Sequence, residues 1–179
     1  MNPTVRPSDR PTVRPAGPGD LDALADLLLD AVADGASVGF LAGTGPAEAA
    51  AWWASLGPSV AAGTRLLWVA EDGAGRLLGT VSLVREEKPN GRHRAEVAKL
   101  LVHRDARGAG LGRRLLRHAE DAARARGVTL LLLDTQTGSA AEYLYRSAGW
   151  TPFGTVPGHA ATPDGVLADT TYYYKRLDG

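Results

Sequence analysis

The stretch AEVAKLLVHRDARGAGLGRRLLRHAEDAARARGVTLLLL, residues 95–133, decides the fold. Ala95–Val102 reads as a strand. Gly110–Arg126 follows the helical period, with Leu111, Leu115, Ala119, Ala122 and Ala123 on one face and Arg113, Arg114, Arg117 and Arg124 elsewhere. Gly127 supplies the C-terminal stop. Val128–Leu133 is a continuous apolar run, the pattern of a strand buried on both faces. Strand, helix and strand in this order imply a crossover between parallel neighbours.

Upstream, Thr12–Pro15 suits a short edge strand, where proline is tolerated. Leu21–Ala33 is helical, with Leu21, Leu24, Ala25, Leu28 and Val32 in register and Gly35 as its end. A glycine-rich loop, Ser37–Gly45, leads to a helix that Pro46 opens and Gly57-Pro58 stops. Trp52 and Trp53 on that helix are expected to pack. Arg65–Glu71 and Leu77–Arg85 flank the hairpin signal Asp72-Gly73-Ala74-Gly75. Downstream, Ala140–Ala148 is a short helix ended by Gly149. Thr151–Val156 and Thr170–Arg176 are two last strands around a long loop, Pro157–Asp169. The sum is a mixed α/β (α+β) architecture: a central, mostly antiparallel sheet with one parallel βαβ pair and helices on both faces. The expected organisation is a flexible tail over 1–11 and one domain over 12–179.

Composition narrows the function. Apolar residues make up 44% of the 179, enough for a sizeable core. Twenty basic residues balance twenty acidic ones, so no nucleic-acid footprint is expected. The absence of cysteine excludes disulfides, thiolate metal sites and a cysteine acyl-enzyme. No apolar run reaches the ~18 residues that suggest a membrane span, and the polar, proline-rich start MNPTVRPSDRPTVRP lacks a signal-peptide core. The expectation is a cytoplasmic protein with no membrane partner.

The chemical signal is Arg107-Gly108-Ala109-Gly110-Leu111-Gly112, between a strand and a helix. Glycines let backbone approach a ligand, and a helix N-terminus offers unpaired N–H groups to a pyrophosphate. No lysine is placed for a P-loop, and GxGxG is not the GxGxxG of dinucleotide folds. Arg107-x-x-Gly110-x-Gly112 does match [Q/R]xxGx[G/A], the phosphate loop of the GNAT superfamily. Leu144-Tyr145-Arg146-Ser147-Ala148-Gly149-Trp150 resembles the Leu-Tyr-x-x-x-Gly-Phe that follows it there. The chain is therefore identified as a member of that superfamily, which implies the GNAT fold, acetyl-CoA as cosubstrate and N-acetyltransferase activity without a metal. Residues 94–100, 132–135, 137–142, 157–165 and 173–175 further resemble the tabtoxin-resistance acetyltransferases, which implies a small amino-acid-like amine as acceptor. Where that group carries an aromatic residue after Pro-Gly, this chain has His159.

An amine attacks a thioester only when neutral, so a base is needed, and the leaving thiolate gains from a proton donor. Glu96, within one of the two parallel strands, and Asp134, at the end of the other, are the candidate bases. Either could instead bind the substrate ammonium or make a structural ion pair, with Lys99 as a candidate partner for Glu96. The resemblance assigns Tyr145 as the general acid; Tyr143 is not chosen. Amides of Leu101 or Val102 are expected to face the thioester, and those of Gly108, Gly110, Leu111, Gly112 and Arg113 the pyrophosphate, with Arg107 and Arg113 adding charge. Asp134 and His159 are the expected acceptor contacts. His93, His103 and His118 show no metal-ligand spacing, and His118 reads as a surface residue. A peptide N-terminus as acceptor, and a non-enzymatic CoA-binding module, are the alternatives; the superfamily also admits a homodimer.

Overall fold

The computed structural model describes residues 10–177. Of the expected tail, residues 1–9 lie outside that range. Twelve regular elements follow one another: β1 (Thr12–Pro15), α1 (Leu21–Ala33), α2 (Pro46–Ser55), α3 (Gly57–Ala61), β2 (Arg65–Glu71), β3 (Leu77–Arg85), β4 (Arg94–Val102), α4 (Leu111–Arg124), β5 (Leu130–Gln136), α5 (Ala140–Ser147), β6 (Thr151–Ala161) and β7 (Leu167–Arg176). The strands form one sheet in the order β1-β2-β3-β4-β5-β7-β6. Every adjacent pair is antiparallel except β4 and β5, which α4 connects as a crossover. This is the mixed sheet expected from the sequence.

Alternation along the strands gives the sheet two apolar faces. Trp68, Ala70, Val81, Leu83, Ala95, Val97, Leu131 and Leu133 point to the side that α4 covers with Leu111, Leu115, Leu116, Ala119 and Ala123. Val69, Leu77 and Leu101 point the other way, to Leu24, Leu27 and Leu28 of α1 and to Ala49 and Trp53 of α2. Trp53 is thus core, as its apolar surface suggests. His118 is not a free surface residue: its ring meets Trp68 edge-on at 5.0 Å, and burial lowers its pKa.

Three local expectations are corrected. Gly57-Pro58 does not simply end a helix; proline is tolerated in a first turn, and Gly57–Ala61 forms a further short helix. The last two strands are longer than read, because β6 continues through Pro157 to Ala161 and leaves only residues 162–166 as the turn. An edge strand tolerates proline, since one side of its backbone has no ladder to donate to. Finally, Leu130 and Leu132 are only half-buried, so β5 is not sealed on both faces. The open face is where the candidate site lies.

Candidate active site

The parallel pairing of β4 and β5 is short. It covers Arg94↔Leu130, Ala95↔Leu131 and Glu96↔Leu132, although β4 runs on to Val102 and β5 to Gln136. The cause is a β-bulge. Thr80 pairs with Leu101 but Ser82 pairs with Ala98, so Lys99 and Leu100 together face the single residue Val81. Lys99 takes φ 52°, the one left-handed non-glycine residue among those described. An extra residue bends and twists its strand, and β4 leaves β5 just beyond Glu96. The result is a cleft walled by backbone edges.

At the wide end of the cleft lies the glycine loop. Gly108 and Gly110 have φ 76° and 79°, a region open to glycine at little cost, and Gly110 caps α4. A Cβ on Gly112 would stand 3.3 Å from Leu144 Cδ2, so glycine there also lets α4 approach α5 closely. Among the described residues, the amides of Gly108 through Arg113 donate to no backbone or side-chain acceptor. Six free donors at the positive end of a helix suit the pyrophosphate of a coenzyme. His103 donates its amide to Leu78 O at 2.9 Å. Ladder alternation therefore turns the Leu101 N–H to β3 and the Val102 N–H to the cleft. Arg107 does not face the loop: its Nε donates to Val102 O at 3.2 Å and its guanidinium pairs with Asp34. Arg113 donates to Ser147 Oγ at 2.6 Å, a neutral partner that leaves its charge beside the helix start.

Chemistry-bearing side chains gather where the strands part. Glu96 and Asp134 project from the α1–α2 face of β4 and β5, and both are exposed to the cleft. Neither makes an ion pair or hydrogen bond with a described residue, so the expected Glu96–Lys99 pair does not form. Lys99 donates instead to Val38 O at 2.8 Å and lies 5.1 Å from the Trp52 ring centroid. Partial burial, reinforced by Asp134, raises the Glu96 pKa above the ordinary carboxylate range. Tyr145 comes from the opposite side. Its ring is buried against Trp150 and Tyr173, at centroid distances of 6.0 and 6.2 Å. Burial, with Asp134 adding to it, pushes its phenol well up. Among the described residues its hydroxyl has no hydrogen-bond partner, and the residue is buried. Tyr173 O–H donates to Glu142 of α5, which fixes the helix carrying Tyr145. Tyr143, by contrast, is 79% exposed.

Over the carboxylates, the loop between α1 and α2 meets the β6–β7 hairpin. Ser37 Oγ donates to Ala161 O at 3.2 Å and the Ala42 amide to Pro163 O at 2.8 Å. Tyr172, directly opposite Asp134 in the sheet, has its hydroxyl 3.2 Å from His159 Nε2. Sequence reasoning missed Tyr172 and Arg65. Arg65 shares strand parity with buried Val69, a charged residue at an inward position, and that parity was the available signal.

Residues 63–152, about half of the chain, match the family model for the acetyltransferase (GNAT) domain. The chain belongs to the GNAT acetyltransferase family. A ribosomal-protein-alanine N-acetyltransferase from Brucella melitensis superposes with a TM-score of 0.76 at 27% identity, over 93% of this chain and 99% of its own. For a GCN5-related N-acetyltransferase from Kribbella flavida the values are 0.76 and 26%, over 94% and 98%. A GNAT superfamily phosphinothricin acetyltransferase from Sinorhizobium meliloti, in complex with acetyl-CoA, shares the fold with a TM-score of 0.78 at 20% identity, over 94% and 89%. An IAA acetyltransferase of Azospirillum brasilense is 46% identical over 63 residues, which are 33% of this chain and 41% of that protein. Among the described residues, no helix is long and apolar enough to cross a membrane, and no cluster of three metal-ligating side chains occurs.

Proposed function

We propose that this chain transfers the acetyl group of acetyl-CoA to the primary amine of a small, amino-acid-like molecule, by direct attack within a ternary complex in the cytoplasm. The observation that carries this reading is the cleft itself, with free amides at one end and unpaired carboxylates and a phenol where the strands part. Acetyl-CoA, when bound, supplies an activated acyl thioester. The amides of Gly108, Gly110, Leu111, Gly112 and Arg113 hold its pyrophosphate, with Arg113 adding charge, and the Val102 N–H faces the pantetheine arm and thioester.

Glu96 takes the proton of the acceptor ammonium, directly or through water. Its raised pKa makes it a stronger base than an ordinary carboxylate, which suits a proton bound to nitrogen. Asp134 holds the ammonium beside it, and His159 with Tyr172 lines the far wall. Tyr145 keeps its proton through the physiological range and donates a hydrogen bond to the leaving sulfur. With no cysteine in the chain, no thiol intervenes between donor and acceptor.

The Brucella neighbour's name suggests a peptide N-terminus as the second reading. The bridge from Ser37 and Ala42 to the β6–β7 hairpin favours a small acceptor, because it spans the face along which a peptide would extend. The deciding assay is release of free CoA thiol from acetyl-CoA across small amines, including α-amino acids, aminoglycosides and polyamines, and N-terminal peptides. Turnover with a small amine is expected. Turnover confined to peptides would replace the acceptor assignment, and tight CoA binding without any turnover would make the chain a CoA-binding module. The oligomer, for which a homodimer is the superfamily expectation, is read by light scattering on the same sample.

A further inference from the structure

Four charged side chains stand on the acceptor face, and none pairs with an opposite charge among the described residues. Glu96 and Asp134 are the anions. Lys99 and Arg65 are the cations, and among the described residues neither makes an ion pair within 4.0 Å. Other partly buried charges pair closely, as in Lys175–Glu120 and Arg14–Asp20, both at 2.8 Å, although Arg85 shares with Arg65 a buried Nε without a partner among the described residues. Arg65 begins β2 and pairs with Val84, which pairs with Glu96, so all three project from one face. Its Nη1 donates to the buried Ser82 Oγ at 3.1 Å, which turns the guanidinium along the sheet toward Ala98, the residue paired with Ser82. Its Nε is buried with no partner. Burial lowers the pKa of both cations, opposed by Glu96 at Arg65 and by Asp134 and Glu96 at Lys99.

A buried guanidinium N–H without an acceptor is a cost that native proteins rarely leave unexplained. Two cations and two anions, balanced in number but held apart, match a ligand that carries both signs itself. We propose that Arg65, assisted by Lys99, forms an anion subsite that takes the acid group of the acceptor while Glu96 and Asp134 take its amine. The inference rests on the acyl-transfer reading for the identity of the amine. It deepens that reading by making the acid group a requirement and assigning its contact: the acceptor must bear a carboxylate, or another oxyanion, a few bonds from the nitrogen. Arg65 is then a specificity residue that touches substrate away from the reacting atoms.

The test uses matched pairs that differ only in the acid: L-phenylalanine, L-methionine and L-glutamine, each against its α-carboxamide. Two readouts are taken on the full chain, thermal stabilisation by each compound in the presence of CoA and release of CoA thiol from acetyl-CoA. The wild type is expected to prefer the acid over the amide by at least about tenfold, as charge-assisted recognition gives. Arg65→Met narrows that preference chiefly by raising KM for the acid, and Arg65→Lys restores part of it. An acid-specific stabilisation lost in Arg65→Met, but without turnover of any pair, would sink the acyl-transfer reading and leave the subsite standing. Acids and amides handled alike by the wild type, no acid-specific stabilisation in any pair, or an Arg65→Met variant that loses both members equally, would overturn the subsite.

Discussion

Glu96 has a raised pKa because its carboxylate is partly desolvated and faces Asp134, so the fold favours its neutral form. Two consequences follow with definite sign. The native state binds this proton more tightly than the unfolded chain does. Glu96 therefore contributes stability below the ordinary carboxylate pKa that is lost as pH rises through the raised one. For catalysis, the acidic limb of kcat/KM lies above the range of an ordinary glutamate. Glu96→Gln is expected to abolish that limb and to lower kcat by about 10²- to 10⁴-fold. Tyr145→Phe should lower kcat about 10²-fold without moving it, as loss of one oriented donor does. A full pH–rate profile on the three proteins separates these, and an unshifted limb in Glu96→Gln would pass the base role to Asp134. The sequence places Glu96, Asp134 and Tyr145 at the cleft through strand positions and a motif. Arg65 shows only its inward parity with Val69, because its desolvation and its bond to Ser82 depend on how β2 pairs with β3, a non-local fact. The expected Lys99–Glu96 pair fails for a related reason: the bulge brings Lys99 to the carboxylate side, but its Nζ is taken by Val38 O and lies over Trp52, contacts distant in sequence.

At the scale of elements, the site is made by two departures from regularity, a bulge in β4 and a glycine start to α4. The second was readable, since Gly110 and Gly112 sit in a spaced pattern before an amphipathic helix. The first was not, for no proline or glycine marks Lys99-Leu100, and the widening of β4 from β5 follows from the bulge alone. The extended β6–β7 hairpin escaped reading too, because Pro157 and Gly158 are turn residues that an edge strand can still absorb. Gly110 offers a clean test of the helix start. A Cβ there meets nothing within 4 Å, so a substituent starts into open space beside the free amides. Gly110→Val is expected to reduce acetyl-CoA affinity by at least about tenfold. The accompanying loss of stability is about 1–2 kcal/mol, from holding a branched residue at left-handed φ. Isothermal titration with acetyl-CoA reads the first and urea unfolding the second. Unchanged affinity would remove the loop from the coenzyme site.

For the whole molecule, the question is what keeps α5, and with it Tyr145, seated on the sheet. A charged knot buried between α4, α5 and β7 does so. Glu120, 4% exposed, accepts from Lys175 Nζ at 2.8 and 2.9 Å and from Trp150 Nε1 at 2.9 Å, and Lys175 also donates to Ala148 O at 2.8 Å. Three segments far apart in sequence thus meet at one carboxylate just beyond the C-terminal end of α5. Removing one member strands the others: Glu120→Ala leaves a largely buried ammonium with only Ala148 O and an indole N–H without an acceptor, and should cost about 3–5 kcal/mol. Lys175→Met leaves the carboxylate with only the indole, for a loss of similar size. Since most of each penalty is the orphaned charge, the double variant should be markedly less unstable than the sum of the singles. Denaturant unfolding of the four proteins measures that coupling, and strict additivity would mean the knot acts only by packing. Where the variants remain folded, turnover should fall with kcat rather than KM, because a loosened α5 displaces Tyr145 while the coenzyme amides on α4 stay in place.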